Sequence, residues 1–469
     1  MAKWEDEVKC VNGFRSHLDN EEAGEKRVML PKVTILIVLF SGITLAYLSI
    51  YIPNVTRLIA NASFGFGDSE LKSKEISNPS VLIYKKHLED LQCDTVTKTS
   101  LLARSKKVLE KKEEVKTEAL AALKLAVEMK EHGKHEKALK LFEHALALDP
   151  THADILNEYG EFLENQGENI IKAEHMYYRA IAASPQHSKA MANRQRTLPL
   201  VQEIDQAQFN RIEKKREMFF RIPENHPGLR RMKKESYIHH IYHTVALEGN
   251  TMTLSQTRSV VENRMAIAGK SIMEHNEVLG LDLALSYINS TLVQKIGKIT
   301  LNDILEIHKR VLGFVDPVEA GHIRSTQVYV GHYIPPAASD VSGLMEEFTE
   351  WLNSDVSMRM HPVELGALAH YKLVLIHPFY DGNGRTARLL MNLILMHAGY
   401  PPIIIPVGEK HLYYQHIETA SEGDVRPFIR FIASILERTL DDYLLSATKD
   451  YEGKLSLYRE QERVIIVDP

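Results

Sequence analysis

The sequence predicts an all-α protein that begins with a membrane-spanning helix. Three observations carry that expectation: an uncharged apolar run near the start, a repeated helical pattern in the middle, and amphipathic helical spacing broken by short Gly/Pro turns in the C-terminal half. At 469 residues the chain exceeds what one core usually fills, so two or more domains are expected. Its 44% hydrophobic and 25% charged residues are ordinary for a folded protein. The formal net charge of -5 lacks the basic excess that neutralises phosphates, so nucleic acid is not an expected partner.

Residues 33–52 carry no charge over 20 positions, which spans a bilayer as a helix. A leader of 32 residues is too long for a cleaved signal peptide, so the run reads as an uncleaved anchor. Arg15, Lys26, Arg27 and Lys32 before it outweigh Arg57 and Lys72 after it. The positive-inside rule therefore places residues 1–32 as a cytosolic tail and the bulk of the chain in the secretory lumen, a single-pass type II topology. Sequons at Asn54, Asn61 and Asn289 become usable there, and Asn289 is the expected glycosylation site, Asn54 lying close to the membrane. Cys10 and Cys93 would fall on opposite sides of the bilayer and make no disulfide framework.

Residues 53–110 read as a lumenal spacer. Beyond it, Ala138, Phe142, Ala145 and Pro150 recur as Ala173, Tyr177, Ala180 and Pro185, each displaced by 35. Small residues let paired helices approach, the aromatic fills the space between them, and the proline closes each unit. The pattern resembles two tetratricopeptide repeats over residues 111–190, either a peptide groove or a spacer that positions the next domain. A linker helix over 191–228 should cover their exposed end. The prolines and glycine of residues 222–228 mark a boundary before a helical domain at 229–445, followed by a tail at 446–469. Within that domain residues 326–336 alternate β-formers around Gly331-His332, which predicts a small β-hairpin.

Residues 377–388, HPFYDGNGRTAR, concentrate the chemistry. One helix should stop by Pro378 and another begin after Asp381-Gly382-Asn383-Gly384, aiming free N–H groups and a positive dipole end at one spot, an anion site. Arg385 and Arg388 share a helix face and add bidentate donors for phosphate. Asp381 is a hard oxygen suited to Mg²⁺, and His377 can accept a proton near neutral pH. Together these groups describe phosphoryl-type transfer. His239 and His243 have metal spacing, but without an HExxH arrangement they read as locally hydrogen-bonded.

The stretch matches H-x-F-x-[DE]-G-N-G-R-x-x-R at every defining position, and so resembles a Fic domain. That resemblance implies transfer of AMP from ATP, with Mg²⁺ or Mn²⁺, to a target hydroxyl. It makes His377 the general base, Asp381 the metal ligand, Asn383, Arg385 and Arg388 the phosphate grip, and Phe379 a core residue that orients the loop. It also implies nucleotide contacts from Val330, Gly331, His332 and Tyr333 on a flap, from Gly382, Gly384, Thr386 and Ala387 in the motif, and from Tyr413 and Tyr414 around adenine. Ser421 stands where an asparagine is expected, which departs from the pattern.

TVALEGN, residues 244–250, resembles the Fic inhibitory motif, with Thr244, Glu248, Gly249 and Asn250 at its defining positions. A Glu248 carboxylate on Arg388 would take the place of the ATP γ-phosphate, and Glu248 could also align a water for the reverse hydrolysis. Anchor, repeats, inhibitory glutamate and core together resemble the metazoan endoplasmic-reticulum Fic adenylyltransferases. Their resemblance implies AMP addition to and removal from the lumenal Hsp70 chaperone BiP, a homodimer, and residence in the endoplasmic-reticulum membrane. RVIIVDP carries no KDEL-type signal, so retention would rest on the anchor. A Fic enzyme moving another phosphate-containing group, or a repeat scaffold with a silent site, are the alternative readings.

Overall fold

The computed structural model describes residues 95–447 apart from Glu168, Ile296 and His332, with side chains from Glu113 onward. The expected tail, anchor and first part of the spacer, with Cys10, Cys93, Asn54 and Asn61, lie outside the described residues, as do His332 and residues 448–469. Among the described residues no helix is long and apolar enough to cross a membrane.

The chain divides into two compact units at Asp149 and Pro150. The first contains α1 (Thr95–Glu131) and α2 (His135–Leu148). Helix α1 starts inside the stretch expected to be spacer, because its Leu, Ala, Arg, Lys and Glu residues are good helix formers without forming an apolar stripe. On α2, Ala138, Phe142 and Ala145 are buried at the expected repeat positions.

The second unit opens with α3 (Ala153–Asn165) and α4 (Ile170–Ala183), whose Ala173, Tyr177 and Ala180 are buried likewise. Gly160 permits the pair's close approach: a Cβ there would lie 2.5 Å from Tyr177 Cε1. Helix α5 (Ser188–Phe220) then runs without a break through Pro199. It packs along the last helix, α15 (Arg426–Ser446), where Arg430 grips Asp205 with two bonds of 2.6 and 2.7 Å. The second repeat is tied to the same helix. Buried Glu174 on α4 binds Arg194 and Arg426, and Asp424 binds His175 and Arg426.

Between these lie α6 (Pro227–Leu247), α7 (Leu254–Asn263), α8 (Ile272–Tyr287), α9 (Leu301–Leu312), α10 (Ala338–Leu352), the short α11 (Asp355–Met358), α12 (Pro362–Ile376), α13 (Asn383–His397) and α14 (Lys410–Ser421). The break expected near residues 222–228 separates α5 from α6. Helices α12 and α13 are buried almost all round, the mark of a central pair. Their connection, residues 377–382, is the site region.

The expected β-hairpin is reduced to one antiparallel bridge between Val330 and Tyr333, and the described residues contain no strand. Those two residues exchange both backbone bonds, at 3.0 and 2.9 Å, around Gly331 at φ 57°. The ladder stops there because Pro335 and Pro336 have no N–H to continue it. The Gln327 side chain ties the arms instead, donating to Pro335 O at 2.9 Å.

Candidate active site

His377 ends α12 in the left-handed conformation, φ 50° and ψ 60°, an uncommon state for a non-glycine residue. The turn it starts is built by its neighbours. Asn383 spends both ends of its amide on Phe379, accepting from its N–H at 3.0 Å and donating to its carbonyl at 2.8 Å. Asn383, which resemblance placed in the phosphate grip, straps the loop with both ends of its amide. Phe379 is fully buried and stacks on His308, ring centroids 3.6 Å apart at 6°. Nδ1 of His308 accepts from Gly321 N–H and its Nε2–H donates to Asp381 O, each at 3.0 Å. Burial pushes that imidazole down to about 4, so it supports the loop as a neutral ring.

Gly382, at φ 78°, takes a conformation that costs a glycine little, and its N–H donates to Asp381 Oδ1 at 2.6 Å. Helix α13 then starts at Asn383, leaving its first-turn N–H groups without intrahelical acceptors. Arg385 and Arg388 follow on one face, each 2% exposed. Arg385 Nη2 donates to Asp381 Oδ2 at 2.6 Å, while its Nε and Nη1 have no hydrogen-bond partner. Glu277 Oε1 on α8 stands 3.5 Å from that Nη1. Arg388 Nη2 donates to Glu248 Oε1 at 2.5 Å and to Thr244 O at 3.1 Å, and its Nη1 reaches the Tyr413 hydroxyl at 3.4 Å. Burial works against the Arg388 charge, and the Glu248 carboxylate more than restores it.

Glu248 occupies this position because α6 ends there and Gly249, at φ 105°, turns the chain away. Asn250 anchors the following segment, donating to Glu274 O at 3.0 Å and to Glu277 Oε2 at 2.8 Å. The four residues expected to act together thus divide their roles. Glu248 contributes a carboxylate, Thr244 a carbonyl, Gly249 a turn and Asn250 an anchor.

Thr386 and Ala387 are fully buried inside α13. The nucleotide contacts expected of them by resemblance therefore have no exposed side chain to use. Tyr413 is 1% exposed, packed against Phe428 and hydrogen-bonded to His370 at 2.8 Å. Its ring is core and its hydroxyl supports Arg388, so the stacking expected of it is not open to it. Tyr414 is 42% exposed, with Lys410 Nζ over its ring at 5.9 Å. Ser421 gives its hydroxyl to Ile417 O at the far end of α14, about 12 Å along the helix from Tyr413. Tyr333 sends its hydroxyl to Leu375 O at 2.7 Å, and Val330 is exposed beside Gly331. Asn289 is exposed.

His377 has a clear tautomer, since its Nδ1–H donates to Val374 O at 3.3 Å and Nε2 keeps the lone pair. Burial holds this imidazole below its ordinary range, so it is neutral near pH 7. For Asp381, burial pushes upward, but Arg385 and the Gly382 N–H prevail and keep the carboxyl ionised. Among the described residues no three His, Cys, Asp or Glu side chains cluster as metal ligands. A single exposed carboxylate still fits Mg²⁺, which takes one or two protein carboxylates and completes its shell with water and substrate phosphates.

The Fic/DOC family profile matches residues 298–395, and a tetratricopeptide-repeat profile matches residues 141–175. The first range holds the whole 377–388 motif with α9, the flap turn and α12. The chain belongs to the Fic family. It is 57% identical over 345 residues to "Protein adenylyltransferase Fic" of Culex quinquefasciatus, covering 74% of this chain and 69% of that protein. It is 55% identical over 345 residues to the protein of the same name from Drosophila melanogaster, covering 74% and 70%. Among solved structures, Fic-1 (aa134 - 508) from C. elegans superposes with a TM-score of 0.65 at 45% identity, covering 70% of this chain and 97% of that one.

Proposed function

We propose that this protein is an adenylyltransferase that moves AMP from ATP to a Ser or Thr hydroxyl of a lumenal Hsp70 chaperone, BiP, and removes it again. The observation that supports this most directly is the pairing of Arg388 with Glu248 beside the free N-terminus of α13. Two buried guanidiniums and a helix start form a polyphosphate grip, and an acid already occupies one of them.

In the forward direction the target hydroxyl oxygen attacks the α-phosphorus, and the bond from that phosphorus to the bridging oxygen breaks. Pyrophosphate leaves with the electron pair. His377 Nε2 accepts the hydroxyl proton, which its neutral state permits. Arg385 and Arg388 hold the phosphates as charge shifts toward the leaving group. Mg²⁺, held through Asp381, would supply charge neutralisation on the phosphates. In reverse, water oxygen attacks the phosphorus of the modified target and the bond to the target oxygen breaks. Glu248 aligns the water and takes its proton, while His377, entering this direction as the imidazolium that carries a proton on Nε2, gives that proton to the departing oxygen and ends neutral.

The same reading makes the protein a type II glycoprotein of the endoplasmic-reticulum membrane, glycosylated at Asn289 and acting as a homodimer. It names the repeats as either the client-binding element or a spacer. Intact-mass measurement of a lumenal Hsp70 after incubation with MgATP and the Glu248→Gly enzyme tests the function. An increment of one AMP, lost in Glu248→Gly/His377→Ala, supports it. A different increment means another phosphate-containing group is moved, and no increment leaves the repeat scaffold with a silent site.

A further inference from the structure

The turn at 326–336 meets the segment 375–380 through three side chains. Arg324 is 1% exposed, and its guanidinium finds only backbone carbonyls. Nε donates to His377 O at 2.8 Å, Nη1 to Thr326 O at 3.0 Å and Nη2 to Pro336 O at 2.6 Å. Its own backbone N–H donates to Pro378 O at 2.9 Å. Taking a guanidinium out of water without an acid beside it is costly, and the three carbonyl bonds are what offset that cost. Thr326 and Pro336 are the two feet of the turn, and His377 is the residue held at positive φ.

Two tyrosines complete the attachment. The Tyr380 hydroxyl oxygen accepts the N–H groups of Ser325 and Thr326, both at 3.1 Å, on the outer side of the first foot. Tyr333, one of the two bridge residues, donates to Leu375 O at 2.7 Å in the last turn of α12. Tyr329, Val330 and Ile334 are left 72%, 41% and 66% exposed. The turn thus has one side fixed to the catalytic loop and another that stays open and apolar.

We infer that Arg324, Tyr333 and Tyr380 clamp this turn to the catalytic loop, with Arg324 a positioning residue that sets both the turn and the backbone of His377. A polypeptide laid along the open side then meets the base at a fixed distance. The clamp stands on geometry; its consequence for rate rests on the adenylyl transfer proposed above.

The test uses the full chain as Glu248→Gly, with Arg324→Gln, Arg324→Lys, Tyr380→Phe and Tyr333→Phe each added. Amide hydrogen exchange across 325–336, MgATP affinity by calorimetry, and steady-state AMP transfer to a lumenal Hsp70 are measured. In Arg324→Gln, exchange in the turn should rise about tenfold or more while α12 and α13 keep their protection. MgATP affinity should stay within about threefold, and kcat/KM for the protein should fall about 10²-fold, the scale set by a misplacement near 1 Å. Arg324→Lys should recover only part of this, because an ammonium cannot reproduce the three-way fork. Tyr380→Phe should raise KM for the protein with kcat nearly unchanged, since it releases one foot and leaves His377 held.

Unchanged exchange in a folded Arg324→Gln overturns the clamp. Loosened exchange with kcat and KM both intact overturns the positioning role. Should Arg324→Gln not fold, the two Tyr→Phe variants decide by the same exchange reading, since each removes a single oxygen. Failure of adenylyl transfer itself would show separately, as a Glu248→Gly parent that gives no AMP increment.

Discussion

Replacing Glu248 by glycine should weaken the fold and strengthen the chemistry at once. The Arg388 side chain is buried and that of Glu248 is 28% exposed, at 2.5 Å, so the pair is mostly desolvated. Breaking a buried ion pair from one side costs about 3–5 kcal/mol. Two features reduce that here: Arg388 keeps Thr244 O and the Tyr413 hydroxyl, and Glu248 sits at the C-terminus of α6, where a negative charge opposes the helix dipole. A net loss of about 3 kcal/mol follows, a fall of roughly 5 °C in thermal midpoint for a unit of this size. The same free energy no longer opposes the γ-phosphate at Arg388, so productive use of ATP should rise about 10²-fold, at 1.4 kcal/mol per factor of ten. Differential scanning fluorimetry without nucleotide and intact-mass kinetics with MgATP read the two halves. A lower midpoint with no gain in transfer would show that Glu248 is only structural, and no change in either would remove the contest altogether.

Gly384→Ala would set a methyl 2.5 Å from Glu248 Oε1 and 3.0 Å from Arg388 Nη1. The methyl displaces the same Oε1 that Arg388 holds, so the midpoint should fall toward that of Glu248→Gly, and calorimetry should show MgATP binding weakened at least about tenfold because the methyl also fills the phosphate approach. Phe379→Ala removes a fully buried ring stacked on His308 and should cost about 3–5 kcal/mol in urea unfolding, with transfer lost as the loop slackens. His308 titrates near 4 when folded and near its ordinary value when unfolded, so the unfolded chain binds the extra proton between those values. Its contribution is present above about pH 6.5 and is lost as pH falls, at about 1.4 kcal/mol per unit. Urea unfolding at pH 6.5 and 5.5 should therefore show a stability loss that is smaller by about 1 kcal/mol in His308→Gln. His377, also held down by burial, should keep AMP transfer going somewhat below the ordinary imidazole range before protonation stops it.

Local signals made much of this legible. The 35-residue displacement found the buried repeat positions, and the Pro and Gly punctuation found the ends of α12 and α13 within a residue or two. The Glu248–Arg388 contact, between residues 140 apart, followed from the resemblance of two short motifs. What stayed hidden has a common cause. His308 and Arg324 act through single backbone carbonyls and one stacked ring, contacts with no spacing rule, and nothing in their flanking residues announces them. The loop-strapping role of Asn383 stayed hidden as well, because a motif asparagine reads as a ligand and gives no sign that its amide bonds Phe379. The hairpin was over-extended because alternating β-formers were counted without giving weight to Pro335 and Pro336. Tyr413 and Tyr414 could not be told apart from sequence, since burial of one and exposure of the other depends on α15.

Charge balance accounts for why the resting site is built from pairs. A helix start carrying two buried arginines three residues apart would repel itself if both were left bare. The chain answers with Asp381 on Arg385 and Glu248 on Arg388. Each acid then has to give way for the proposed chemistry. Asp381 must turn from its arginine toward a metal, and Glu248 must yield to a phosphate. They do not yield equally. Asp381 is exposed on the loop, next to the helix start that it can leave without a cavity, while Glu248 is fixed by a helix end, a turn and the Asn250 anchor. A nucleotide arriving with its metal therefore displaces the first acid easily and the second only at a cost. The regulation of this site, on the proposed reading, resides in the segment 248–250, and any partner or modification that shifts that segment by the length of one hydrogen bond decides whether Arg388 holds Glu248 or a phosphate.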